Sequence, residues 1–301
     1  MSAWEDRLSA ETPRGLDGRR DEVPYARWTP PEALGDAWRY SRDKIFLGYR
    51  AGQGIGYGDD RHVMLVAGSR AGKGVSIIIP NMLLYEGPVL AIDPKGELAR
   101  VTARRRAQGL GQAQAVHVLD PFNRSGDGTL PYRASFNPLA EIDPDSPDAV
   151  DDAALLAEAL IVADVGASAD RHWTDAAREL VKLLILDALC EPVERRHLGH
   201  VRDFFHEAGE INSKGEIVPG HVAGLRRIAM DRGNAFDGVL AGGADAFASK
   251  NERELSSIIS TAQVQLGFLD SKPLMDVLRT SSFRLSDLKT GKTTVYLCLA
   301  A

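Results

Sequence analysis

The residues best suited to chemistry lie in LVAGSRAGKGVSIIIP, Leu65 to Pro80. Ala67 is followed by four residues and then by Gly72-Lys73, the spacing of a loop that wraps a polyphosphate. Backbone amides at a helix start, with the helix dipole behind them, attract negative charge, and Lys73 would meet the β- and γ-phosphates. Gly68, Gly72 and Gly74 let the main chain approach a ligand closely. The nucleotide-binding set read from this pattern is Gly68, Ser69, Arg70, Ala71, Gly72, Lys73, Gly74 and Val75. One part is missing. The Ser or Thr hydroxyl that usually follows the lysine and helps hold Mg²⁺ is replaced by Gly74. So short a pattern also arises by chance, as a glycine-rich turn with a surface lysine. Its position after an apolar run and before a helical one favours the nucleotide site.

A second stretch, VLAIDPKGE, spans Val89 to Glu97. Asp93 is expected to end a buried strand beside the loop strand, on the carboxyl edge where α/β sheets bind ligands. There it could hold a Mg²⁺-bound water, in part replacing the missing hydroxyl. Glu97 is the candidate catalytic base beside Lys73. Asp93-Pro94 could instead begin a turn and cap the next helix. An apolar run ending in Asp also fits a Walker B strand.

These residues need a scaffold, and the pattern supplies an α/β one. HVMLVAG reads as a buried strand and Gly72 to about Leu84 as a helix. GPVLAID is a second strand, GELARVTARRRAQ a second helix closed by Gly109, and AVHVLD a third strand. Apolar strands separated by helices imply a parallel sheet covered on both faces. After Ser146-Pro147, a helix start signal, the pattern turns helical, and no strand is expected between roughly 150 and 280. In RHWTDAARELVKLLILDAL, Trp173, Ala177, Leu180 and Leu184 share one face, which makes Trp173 a core residue. The sheet resumes at TTVYLCLA. The expected divisions are an arm over 1–45, a nucleotide-binding domain over 46–149 and 281–301, and a helical block over 150–280.

Composition narrows the class. With 44% apolar and 26% charged residues the chain is typical of soluble globular proteins. A net charge of −6 excludes a uniformly basic coat for nucleic acid. The one dense basic cluster, Arg100–Gly109, is expected to be a solvated helix face rather than a DNA contact. Two cysteines, Cys190 and Cys298, far apart, suit a reduced interior. No apolar run reaches the roughly 18 residues of a spanning helix. His197, His200 and Cys190 lack a fourth ligand at zinc spacing. Arg124 and Arg133 lie near the expected carboxyl edge, where either could meet phosphate.

The stretch DDRHVMLVAGSRAGKGVSIIIPNMLLYEGPVLAIDPKGEL resembles the core of the type IV secretion coupling proteins, the TraG-like conjugative DNA-transfer ATPases. Shared features are Gly72-Lys73-Gly74, Pro80, Asp93 to Glu97, SFNPL (Ser135–Leu139), HWTDAARELVKLLI and NERELSSIISTAQVQLGFLDS, over about residues 46 to 301. Gly74 is thus a family trait. The resemblance implies a RecA-like P-loop NTPase sheet with an inserted all-helical domain, ATP and Mg²⁺ as cofactors, and a hexameric ring. It implies recruitment of DNA with its relaxase, or of an effector protein, to a secretion channel. The place of action would be cytoplasmic, peripheral at the inner membrane through partners, because the family's membrane-spanning helices are not in this sequence. The family's Walker B strand follows the segment matching TTVYLCLA, so the sheet is expected to be short of a strand. A non-hydrolysing nucleotide-binding adaptor is the alternative to the motor.

Overall fold

A computed structural model describes residues 34–109, 113–163 and 171–299. The chain divides into two compact units, with the boundary between Arg61 and His62. In the first, β1 (Ile45–Arg50) and β2 (Gln53–Tyr57) form an antiparallel hairpin. Its turn places Ala51 and Gly52 at φ 48° and 80°. The rest of the predicted arm, residues 1–33, lies outside the described residues.

The second unit opens on a correction. HVMLVAG is not a buried strand: it is unpaired, and Met64 and Val66 are 84% and 81% exposed. A strand needs a ladder for its amides and carbonyls. The edge strand β3 (Val89–Ile92) pairs only with β7 (Thr293–Leu297), and among the described residues no strand reaches its other edge. The run therefore has strand composition and no partner, and Asp93 does not end a strand beside it.

The helix after the loop forms as expected, with a modification. A π-helical turn, Gly74–Ile78, leads into α1 (Ile79–Leu84). Pro80 has no N–H and its ring crowds the carbonyl four residues back, which favours a widened turn at that point. From β3, α2 (Glu97–Gln108) leads to β4 (Ala115–Leu119), and the parallel sheet has the order β3-β7-β4. This is an α/β fold. Alternation along β7 sends Tyr296 toward α1 and α2, against Met82, Ala99 and Ala103. Val295 and Leu297 face the other way, with Leu119, Phe136 and Phe283.

Between β4 and β7 come α3 (Ala149–Leu160), α4 (Arg171–Leu189), α5 (Leu198–Phe204), α6 (Gly220–Asp231), α7 (Val239–Ala248), α8 (Glu252–Leu266), α9 (Lys272–Leu278) and α10 (Asp287–Thr290). Helix α4 is the axis of a separate core: Ala177, Leu180, Val181 and Leu184 are buried, and Trp173 packs on its rim. The expectation of no strand here needs correcting too. β5 (Glu210–Ile211) and β6 (Ile217–Val218) form a short hairpin, its turn held by Asn212 Oδ1 accepting from the amides of Lys214 and Glu216, each at 2.9 Å. Two-residue strands are too short to leave an alternation in the sequence.

The chain leaves the sheet for the helices and returns to it through one neck. Ser282 N donates to Ser135 O at 2.9 Å, Ser135 N to Ser282 Oγ at 3.0 Å, and Phe136 N to Val277 O at 2.9 Å. Asn137 completes the neck: Nδ2 donates to Arg196 O at 2.6 Å and Oδ1 accepts from Leu139 N at 3.1 Å. The SFNPL stretch is thus a structural clasp. No helix among the described residues is long and apolar enough to cross a membrane.

Candidate nucleotide-binding site

The loop is shaped by two left-handed residues. Arg70 has φ 59° and Gly72 φ 81°, while Ala71 N closes a turn onto Gly68 O at 3.3 Å and Ser76 N bonds Gly72 O at 2.8 Å. This reversal brings the start of the helix to Lys73. The amides of Gly72, Lys73, Gly74 and Val75 meet no backbone acceptor among the described residues. These are the orphan donors expected at a helix N-terminus, here half-buried at Gly72 to Gly74 behind the exposed residues 68–71. The site therefore offers an anion several N–H groups and a positive dipole end.

Lys73 folds across its own loop. Its ammonium donates to Ala67 O and Gly68 O, both at 2.7 Å, which leaves a third N–H for a phosphate oxygen. Gly74 has open space where a Cβ would be, so the missing hydroxyl is not excluded by crowding. A polyphosphate fits these residues well. For the cation, the position directly after Lys73 supplies no side-chain oxygen, since it is Gly74.

Asp93 is buried, with Oδ2 accepting from Ala99 N at 2.9 Å, while Asp93 O accepts from Gly96 N at 2.9 Å. This is the capping geometry that the sequence also allowed, and it fixes the start of α2. Gly96, at φ 68°, is required: a Cβ there would lie 2.4 Å from Ser125 N. Glu97, the first residue of α2, is exposed. No hydrogen bond or ion pair among the described residues joins Asp93 or Glu97 to loop residues 68–75. No group of three or more His, Cys, Asp and Glu among the described residues could hold a metal ion.

At the carboxyl end of β4, Asp120 is buried. Burial by itself would raise its pKa, but the Ser125 hydroxyl, the amides of Ser125 and Arg124, and the charge of Arg133 bring it below the usual carboxylate value. Arg133 Nη1 pairs with Asp120 Oδ2 at 2.9 Å, so this guanidinium is committed. A cleft of about 470 Å³ opens beside it, between Asp120, Leu130, Arg133, Pro273 and Val277, and no loop residue lines it.

One residue was misread from the sequence. Arg106 belongs to the cluster expected to be solvated, yet it is 4% exposed. Its guanidinium donates to Met82 O and Tyr85 O at 2.9 Å and to Gly87 O and Gln114 Oε1 at 2.7 Å; Nε bonds Thr294 Oγ1. Burial pulls its pKa below the ordinary arginine value. The available signal was spacing. Ala99, Ala103 and Arg106 recur at helical intervals, which puts Arg106 on the apolar face.

A parallel α/β sheet with a glycine loop opening a helix defines a broad class, and comparison of sequences narrows it. The family described as type IV secretory system conjugative DNA transfer matches residues 29–301, and the chain belongs to it. It is 30% identical over 245 residues to Protein VirD4 of Agrobacterium fabrum (strain C58), covering 81% of this chain and 33% of that protein. It is 28% identical over 234 residues to Conjugal transfer protein TraG of Escherichia coli, covering 75% of this chain and 34% of that one. The chain thus spans about a third of the length of the curated relatives it matches.

Proposed function

We propose that the chain is the ATP-binding part of a coupling-protein motor that drives DNA, or an effector protein, into a type IV secretion or conjugation channel. The observation that carries this reading is the loop from Gly68 to Val75: left-handed Gly72, unpaired amides at the helix start, and Lys73 folded back onto the carbonyls of Ala67 and Gly68. In this reading the sheet is RecA-like and residues 150–280 form the substrate-recruiting helical domain. The loop amides and Lys73 would hold the β- and γ-phosphates of ATP. With few protein oxygens at the loop, Mg²⁺ would be held mainly through the phosphates and would supply charge neutralisation there. Asp93 and Glu97 are the acids assigned to the metal-bound water and to water activation. A relaxase or effector, the secretion machinery, five further copies in a ring and a position at the inner membrane complete the reading.

Equilibrium binding of ATP and ADP with Mg²⁺ tests it, beside steady-state hydrolysis with and without single-stranded DNA. Micromolar binding with DNA-stimulated turnover is the expected outcome. Binding without turnover would establish the non-hydrolysing adaptor instead. No affinity for either nucleotide would end both readings.

A further inference from the structure

The basic cluster that the loop chemistry does not use has a definite geometry. Helix α2 turns Ala99, Thr102, Ala103 and Arg106 into the core and leaves Arg100, Val101, Arg104 and Arg105 exposed. Glu97 is the only acid in the helix. Lys95 is exposed just ahead of it, and the backbone of the exposed Arg124 abuts Gly96, whose Cβ would lie 2.6 Å from Arg124 C. Several arginines elsewhere are paired with acids: Arg133 with Asp120, Arg178 with Asp175, Arg202 with Asp270, Arg227 with Glu207, Arg232 with Asp187. Lys95, Arg100, Arg104 and Arg124 have no side-chain partner among the described residues, and Arg105 only Gly109 O at 3.2 Å.

We infer that this face of α2 is a contact surface for the phosphate backbone of a nucleic-acid strand. An ordinary solvated helix face mixes charges, and like charges four residues apart, as at Arg100 and Arg104, repel by a few tenths of a kcal/mol. A polyanion turns that repulsion into attraction. The two arginines stand about 6 Å apart along the axis, the rise of about two successive phosphates. An anionic membrane is the less suitable occupant. Membrane-surface helices bury an apolar face in lipid, whereas the apolar face of α2 is packed against Met82, Ala91 and Tyr296. The inference rests on the reading of the protein as one that handles DNA and adds which surface holds the strand.

The test is fluorescence anisotropy of the full chain with a labelled single strand of about 30 nucleotides, between about 50 and 200 mM salt. Arg100→Glu/Arg104→Glu is expected to weaken binding at least roughly tenfold and to flatten the log–log salt slope by about 1.4, two contacts at about 0.7 each. Arg100→Lys/Arg104→Lys, which keeps the charge, should retain the slope. Both variants should keep the wild-type melting temperature, because the side chains are exposed. If wild-type protein binds the strand and the Glu variant matches it in affinity and slope, the surface is wrong. The surface is equally wrong if the Glu variant loses only binding to phosphatidylserine vesicles. If the wild-type chain binds no strand at all, the DNA reading itself fails.

Discussion

Arg106 Nη1 donates to the carbonyl of Tyr85 at 2.9 Å, so a cation carried by α2 closes the end of α1, the helix that continues from the glycine loop through the π-helical turn. The same guanidinium reaches Gly87 O and Thr294 Oγ1, tying the helix end, the approach to β3 and the central strand together. Arg106→Met should fill the space and leave these buried acceptors unpaired. The expected cost is about 3 kcal/mol, from several unmet hydrogen bonds. A urea titration reads it as a lower midpoint with unchanged slope. A loss below about 1 kcal/mol would show that water replaces the guanidinium.

Lys73→Ala removes the ammonium but no buried contact, since its two acceptors lie in an exposed loop. Nucleotide affinity should fall at least roughly tenfold, the loss of one charge-assisted hydrogen bond or more, while the melting curve stays put. Gly74→Ser should fold normally, because nothing lies within 4 Å of its Cβ position. It should also make nucleotide affinity more dependent on Mg²⁺. Titration of a fluorescent ATP analogue with and without Mg²⁺ separates the two effects.

Cys298 is fully buried, and burial pushes its thiol up to about 12 from 9.0. Burial likewise raises the Tyr296 hydroxyl to about 12 from 10.0. Each group is protonated in the folded chain where the unfolded chain would ionise, so stability should fall as pH rises from about 9 towards 12. Cys298→Ala should make that alkaline decline shallower in urea midpoints taken across this range. In the native state Cys298 should resist iodoacetamide at pH 8.5, a concentration of thiolate too small and too enclosed to react.

Asp187 joins three helices of the second core. Oδ2 meets His200 Nε2 at 2.7 Å and Oδ1 accepts from Arg232 Nε at 2.6 Å. Burial alone would raise its pKa, but the hydrogen bonds from His200 and Arg232 take it below 3.8. Its stabilisation is present above that value and should be lost as pH falls through the lowered pKa. Asp187→Asn should cost about 2 kcal/mol by weakening the charge-assisted hydrogen bonds with His200 and Arg232, Arg232 keeping Glu191 as an ion-pair partner, and should remove that part of the acid dependence. Thermal melts at neutral and acid pH would show both.

Much of this was readable from residue order. Gly72-Lys73 between an apolar run and a helix, and the return of the chain at TTVYLCLA, gave the parallel sheet and the loop. What escaped were properties set by neighbours far along the chain. Val63 to Val66 have the composition of a strand, but pairing depends on a partner edge that the run itself cannot specify. Arg104, Arg105 and Arg106 are consecutive and chemically alike, yet the helix turns only the last toward Met82, Tyr85 and Thr294. Asp93 had three readings in the sequence, and the bond from the Ala99 amide to its carboxylate belongs to the one in which it caps the next helix.

The clasp at Ser135 and Ser282 makes the helical block a loop in the topological sense: its two ends meet at one point. Its sequence could therefore be exchanged for that of a relative while the sheet's connectivity stays the same. The same serines are where a swap should be joined and where stiffness between the two cores should be tuned.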